Sequence, residues 1–482
     1  MNDWPTTNMR TRKPPLWNQI NWDKMERSVS QLQARIVKAQ QEKKWNKVKS
    51  LNRILTRSFA AKALAVKKVS SNRGSRTCGV DGIIWRSNQQ KAQAILELQQ
   101  EHYRAKPLRR IYIRKPGSKK MRPLGIPTMK DRAMQALYSL ALGPIAETTA
   151  DPNSYGFRPY RNCMDAISQI VAITSSDTRP QWVLEGDIKG CFDNINHEWV
   201  LNNIPIEKKI LKQWLKCGYL ENGKCYDTTS GTPQGGIISP IIANMVLDGI
   251  ETILRRKYKR LLHRNDGTEH WRNARHSHKI NFVRYADDFI VTGDSKEILE
   301  NEVKPLLNKF LSERGLELSE EKTTITHIDT GFDFLGFNIR CYKRKVLVKP
   351  APSRIKRFKG KLSVVIRTHS NSMTVSLIKK LNSMLRGWAN YYRSVSSSQT
   401  FNNIRHWLWN KIWNWALFRH RTKGKHWIAT KYFIHTGNKG WKFAAKKAGT
   451  IQAELFDIIS ITIRRHLKIR SEANPYSVED KA

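Results

Sequence analysis

The sequence predicts an α+β fold, a sheet with helices packed on one face. Three observations predict it. Trp182–Ile188 is a short apolar strand that reaches Asp187 at its end. Asn281–Thr292 has strand, tight acidic turn, strand character, and the segments around both carry apolar residues at helical spacing. Strand, helix, helix, acidic hairpin, helix is an order that leaves one sheet face for helices to cover.

Taken in order, residues 1 to about 20 read as a flexible leader rich in Pro and Thr. From Trp22 to Val69 the chain is basic, with a helical stripe of Val29, Leu32, Ile36, Val37 and Ala39. Ser71–Gly82 reads as a Gly-rich loop and Lys91–Glu101 as a helix. A hairpin follows through LRRIYIRKPGSKKMRPLGIP, with Pro116-Gly117 at its turn. Met129–Glu147, rich in Ala and Leu, reads as a buried helix, and Asn196 caps the helix after the first acidic strand. One helix is expected over Ser239–Arg256, then a mobile, His-rich loop over Leu262–His278. Asp294 is the expected N-cap of the next helix, with Glu297 three residues later, Phe310 in its apolar stripe and Gly315 as its stop. The basic, Pro-containing run at Lys343–Ile355 marks a domain boundary, beyond which lie helices dense in Trp and Arg. The expected divisions are 1–85, 86–342, 343–445 and 446–482.

A chain of 482 residues suggests two to four such units. Its 86 Lys and Arg stand against 40 Asp and Glu, a net charge of +46. So much like charge repels itself unless a polyanion neutralises it, and nucleic acid is the polyanion that fits. The charge is spread along the chain rather than held in one amphipathic helix, which argues against a membrane surface. The sixteen Trp and fourteen Tyr suit stacking on bases. Six cysteines form no CxxC pair, so neither a zinc ribbon nor a disulfide framework is indicated. No signal-type apolar region or membrane-length run is present, so a cytoplasmic protein is expected.

The chemistry concentrates in three acids. Asp187 ends one strand, and Asp287 and Asp288 occupy the hairpin turn YADD. Phosphoryl transfer with two Mg²⁺ ions about 4 Å apart needs a few carboxylates held rigidly at a cleft floor. Strand ends and tight turns hold them that way. A lone acidic pair in a hairpin is most often a solvated turn. The apolar flanks of YADD and the earlier strand-terminal acid in EGDIKGCFDNI argue for a site instead. The order of elements is that of a polymerase palm.

LEGDIKGCFDNINHEW, GTPQGGIISPIIANMVLDGIE, VRYADDFIV and GFDFLGFNI resemble, in order, the blocks of group II intron reverse transcriptases. RPLGIPTMKDRAMQALYSLAL and NSYGFRPYRNCMDAI resemble the fingers blocks of that family, and GVDGI its N-terminal extension. The resemblance runs from about Trp17 to Pro475. It implies a right-hand polymerase fold, fingers and palm with an antiparallel palm sheet, followed by an α-helical thumb and maturase domain. It implies RNA-directed DNA synthesis from dNTPs on an RNA template with a DNA primer or target DNA, and binding of group II intron RNA to assist splicing.

By position, the resemblance makes Asp187, Asp287, Asp288 and the Ile188 carbonyl the ligands of two Mg²⁺ ions. Phe192 matches the steric gate under the incoming sugar, and Lys115 and Arg122 the cations that grip the triphosphate. Gln234 matches the residue beside sugar and primer end, and Lys322 a palm lysine near the triphosphate. Arg386, Arg393, Lys411, Arg419 and Arg421 are the expected RNA-binding cations of the maturase helices, whose Trp residues fit a helical core. Many relatives carry a further HNH nuclease, and no such segment is expected within these residues. Two other readings are a domesticated maturase without polymerase activity and a related bacterial reverse transcriptase in defence. The intact acids oppose the first, and the maturase-like third of the chain opposes the second.

Overall fold

Among the N-terminal helices, the one over Met129–Thr149 is buried along nearly its whole length. In this computed structural model the described residues are 16–114, 121–176, 178–232, 234–263, 269–273, 278–435, 440–447 and 449–477. Side chains are described for all of these except 260–263 and 269–273. The chain divides into two compact units. One comprises residues up to 166, 182–325 and 469 onward; the other comprises 167–181 and 326–468.

In the first unit, Asn21 caps the Trp22–Gln41 helix, its side chain accepting from Lys24 N at 3.0 Å. The predicted stripe is buried at Val29, Ile36, Val37 and Ala39, while Leu32 is half-buried. The basic run continues as two more helices, Trp45–Arg57 and Phe59–Ser71, and all three pack on Met129–Thr149. Each wholly buried Ile or Leu there, such as Ile36 and Leu55, contributes about 2 kcal/mol. The next helix starts at Asn88, earlier than expected, because Ser87 and Gln90 form a capping box.

Two sheets follow. Leu108–Arg114 pairs antiparallel with Met121–Ile126, placing Ile113 opposite Arg122, and parallel with Tyr219–Glu221. The turn at Pro116-Gly117 and the leader up to residue 15 lie outside the described residues. In the second sheet the strand order is Thr324–His327, Trp182–Asp187, Asp288–Gly293, Asn281–Tyr285. Trp182–Asp187 and Asn281–Tyr285 both run antiparallel to Asp288–Gly293 between them.

Three expectations need correction. The single helix over Ser239–Arg256 is two, Ser239–Leu247 and Ile250–Tyr258. The chain breaks at Gly249, whose φ of +106° no helix accommodates. Within the His-rich insertion, Lys259–His263 and Glu269–Asn273 form an antiparallel hairpin rather than a loop. Ser295, not Asp294, caps the following helix, its hydroxyl accepting from Ile298 N.

The second unit holds the antiparallel strands Phe332–Phe334, Phe337–Tyr342 and Lys345–Pro350. Helices Pro352–Thr368, Thr374–Tyr392, Ser398–Arg419 and Lys425–Tyr432 come next. Aromatics fill its interior. Trp388 stacks on Phe358 at 4.8 Å and also meets Tyr392 and Phe401, and Trp415 packs edge-on against Tyr432 and Phe443. Three more strands, Phe433–His435, Trp441–Lys447 and Thr450–Glu454, fold against these helices. No residue pattern announced that last sheet. The chain then returns to the first unit, where Arg161 Nη2 donates to the carbonyls of Ser471 and Ala473 at 2.9 and 3.0 Å.

Candidate active site

The Asp187 strand and the YADD hairpin are neighbours in one sheet, and their register sets Asp187 directly opposite Asp288. Ala286 and Asp287 form the two-residue turn, with Ala286 in the left-handed region at φ +59°. Such a conformation costs an alanine about 1 kcal/mol and persists where neighbours hold it. The neighbour is the SYGFRP loop. Tyr155 N donates to Arg284 O and Arg284 N to Asn153 O, both at 2.9 Å. A Cβ on Gly156 would stand 2.3 Å from Ala286 N, so the loop backbone lies directly on the turn.

The acids feel one another. Burial pushes the Asp287 carboxyl up, and the charge of Asp187 pushes the same way, while Arg122 and Lys322 pull it down. Lys322 Nζ donates to Asp187 Oδ2 at 2.5 Å, and that bond, with the charges of all three aspartates, raises its own pKa. The structure therefore brings Asp187, Asp287, Asp288, Lys322 and Arg122 into one electrostatic neighbourhood. Among the described residues no group of three or more His, Cys, Asp or Glu already stands in a metal-ligating arrangement. The donor set still suits a hard cation. Asp187 and Asp288 face each other across the strand pair, the half-buried Asp287 feels the charge of Asp187, and the ammonium of Lys322 lies against Asp187.

Ile188 continues the strand as a bridge to Leu318. The bonds on either side run from Ser319 N to Asp187 O at 2.8 Å and from Lys189 N to Glu317 O at 3.0 Å. Phe192, in the short Cys191–Asn194 helix, is half-buried and meets the exposed Phe157 edge-to-face at 6.3 Å. Gln234 donates to both oxygens of Asp193, at 3.0 and 3.2 Å. Its own carbonyl accepts from Gly125 N, which ties this turn to the strand of Arg122. Thr232 N bonds Phe192 O at 2.7 Å, and the buried His197 Nε2 lies 2.7 Å from Gly231 O. Lys115 lies outside the described residues.

Sequence reasoning missed Asp193, Phe157 and Arg284. Asp193 and Phe157 were visible as an acid next to Phe192 and an aromatic in a Gly-Pro loop, but nothing in their spacing says what they touch. Arg284 is wholly buried, an arginine that reads in sequence as a surface cation.

Residues 113–339 match the family described as reverse transcriptase (RNA-dependent DNA polymerase), and 17–98 the N-terminal domain of reverse transcriptase. Residues 355–433 match the group II intron maturase-specific domain. The group II intron-encoded protein LtrA of Lactococcus lactis subsp. cremoris is 32% identical over 419 residues, 70% of this chain and 69% of LtrA. The chain belongs to the group II intron-encoded reverse transcriptases. Protein YkfC of Escherichia coli is 32% identical over 310 residues, 58% of this chain and 79% of that one. A 91 kDa protein in the cob intron of Schizosaccharomyces pombe is 29% identical over 407 residues, 70% of this chain and 50% of that one.

As a member of that family the protein is an RNA-directed DNA polymerase with a group II intron maturase domain, and its nucleotidyl transfer depends on a divalent metal. No helix among the described residues is long and apolar enough to cross a membrane. The maturase cations of this reverse transcriptase differ in surroundings. Arg386, Lys411 and Arg421 are exposed, Arg386 over the Phe456 ring and Arg421 over Phe418. Arg393 is half-buried. Arg419 is committed internally, its Nη1 donating to Ser372 O at 2.7 Å and its guanidinium lying over Trp415.

Proposed function

We propose that Asp187, Asp287 and Asp288, with the Ile188 carbonyl, hold two Mg²⁺ ions at the palm of a right-hand polymerase. The opposition of Asp187 to Asp288, with Lys322 bonded to Asp187, carries this reading. When bound, the metals sharpen the primer 3′-hydroxyl as a nucleophile and neutralise charge on the transferring phosphate.

The remaining work belongs to side chains. Arg122, from the strand joined to the Gln234 turn, grips the triphosphate, assisted by Lys115. Lys322 leaves Asp187 and pairs with the same phosphates. Phe192, backed by Phe157, lies under the sugar and rejects a 2′-hydroxyl. Asp193 holds the Gln234 amide in place beside sugar and primer end. Residues 1–85 serve as the N-terminal extension, 86–342 as fingers and palm, 343–445 as thumb and maturase, and 446–482 as the end of the maturase region. The protein copies intron RNA from a DNA primer or target DNA with dNTPs. It supports splicing by holding that RNA, in the cytoplasm or an organelle of bacterial origin.

Asp288→Asn tests the division of labour. It removes one negative ligand at nearly constant volume, so cDNA synthesis should fall by several orders of magnitude. Intron RNA binding and splicing at low magnesium should remain, because the RNA carries that chemistry itself. Full synthesis in this variant defeats the metal assignment. Equal loss of both activities in a folded protein defeats the separation of roles.

A further inference from the structure

Between the Thr374–Tyr392 and Ser398–Arg419 helices and the last two strands, the second unit contains a cavity of about 720 Å³. Its floor is apolar, from the buried side chains of Leu408, Ile412, Phe433 and Phe443. Two of its indoles are not: Trp409 is 37% exposed and Trp441 50%. Trp409 is held in plane by a parallel stack on Trp413, 5.5 Å away with 5° between the rings. Arg386, Arg405 and Lys442 line the same space. So do Asp457 and Glu454, each anchored by a cation: Arg405 Nε lies 3.3 Å from Asp457 Oδ1, and Lys442 Nζ 2.8 Å from Glu454 Oε1.

The volume falls in the usual range of small-ligand sites, about 300–1,000 Å³. A purely apolar ligand has no use for three cations and two acids. An unstacked nucleobase has a use for the indoles, for an acid held by its cation and for the remaining arginine. Its faces stack on exposed indoles, its flanking phosphate meets an arginine, and its amino and imino hydrogens donate to carboxylates fixed by their ion pairs. Guanine presents adjacent N1–H and N2–H donors and suits a carboxylate best. A base inside a duplex keeps its faces covered by its neighbours, so the cavity selects one turned out of a strand.

We infer that this cavity binds one unstacked guanine of single-stranded intron RNA, stacked on Trp441 and Trp409 with its edge on Asp457 or Glu454 and its phosphate on Arg386. The inference rests on the maturase reading and narrows it to a single-nucleotide site.

The test uses the full chain with its polymerase cleft filled by excess annealed primer–template. The probes are labelled nine-nucleotide RNAs of uridine with a central guanosine, uridine or abasic residue, followed by fluorescence anisotropy at fixed salt. The guanosine probe should bind about tenfold tighter than the abasic one. Trp441→Ala should lose that advantage and bind the abasic probe as the wild type does, while Trp441→Phe restores most of it. Asp457→Asn together with Glu454→Gln should remove the preference for guanosine over uridine. Equal losses for guanosine and abasic probes in Trp441→Ala, or no loss for either, overturn the inference. The second result is also what a protein-docking groove gives. A wild type that binds no intron RNA in a parallel filter assay defeats the maturase reading itself; normal intron binding with no base effect defeats only the nucleotide site.

Discussion

Arg284 Nη2 lies 2.5 Å from Asp248 Oδ1, and neither side chain meets water to any extent: Arg284 is 0% exposed and Asp248 8%. Arg284 Nη1 also donates to Asn244 Oδ1 at 3.1 Å and to Ala286 O at 3.3 Å. The pair therefore fastens the YADD turn from beneath, three residues before Asp287. Burial pushes the Asp248 carboxyl up, and the permanent charge of Arg284 opposes that.

Removing one member strands the other in a dry site. Arg284→Met should cost about 3–5 kcal/mol of unfolding free energy. The double variant Arg284→Met with Asp248→Leu should recover more than half of it, giving a large interaction energy in a double-mutant cycle. Urea unfolding of the four proteins measures this. A single variant within 1 kcal/mol of the parent, roughly the value of an exposed pair, removes the claim.

Phe192 is the proposed sugar gate. Phe192→Ala should raise ribonucleotide incorporation relative to the matching deoxynucleotide by at least an order of magnitude. Single-nucleotide extension with each substrate reads the ratio. Unchanged discrimination means that another side chain makes the gate.

His197 gives the fold an acid-sensitive element. Burial lowers its pKa, and its ring meets Gly231 O as a neutral donor. Because the folded value lies below the unfolded one, its stabilisation is complete above about pH 6.5 and lost as pH falls through the folded value. His197→Gln should therefore lose less stability than the parent between pH 7 and pH 5. The raised carboxyls of Asp151 and Asp248 act with opposite sign as pH rises, but they are common to both proteins and cancel in the comparison. Urea midpoints across this range decide it, and parallel curves refute it.

The net charge of +46 makes intron binding salt-dependent. Each neutralised phosphate should add about 0.7–0.9 to the log–log slope. Filter binding from low to physiological salt gives that slope, and a flat line excludes the electrostatic account.

Much of the site was legible because its signals are local. An acid at the end of an apolar strand and two acids in an apolar-flanked turn can be read within a few residues, and the pairing of Asp187 with Asp288 follows once the strands join. The supports were not legible, since they depend on distant segments. Asp193 meets a glutamine 41 positions on, and Arg284 an aspartate 36 positions back. The break at Gly249 was hidden by apolar spacing that stays helical on both sides. The Trp-rich helices read as one core, yet Trp415 is buried while Trp409 is partly exposed, a split set by the later strands.

The last described stretch of chain, 469–477, folds with the first unit, where Arg161 shares Glu147 with Arg158 and clasps Ser471 and Ala473. Synthesis is vectorial, and domains that are continuous in sequence fold as they emerge. Here the polymerase unit has to wait, since its closing strap leaves the ribosome only after the whole second unit has done so. A nascent chain stalled between residues 326 and 468 would expose the Arg158–Glu147–Arg161 cluster without its cover. A truncation that ends the chain at residue 468 would strip that cover from the first unit.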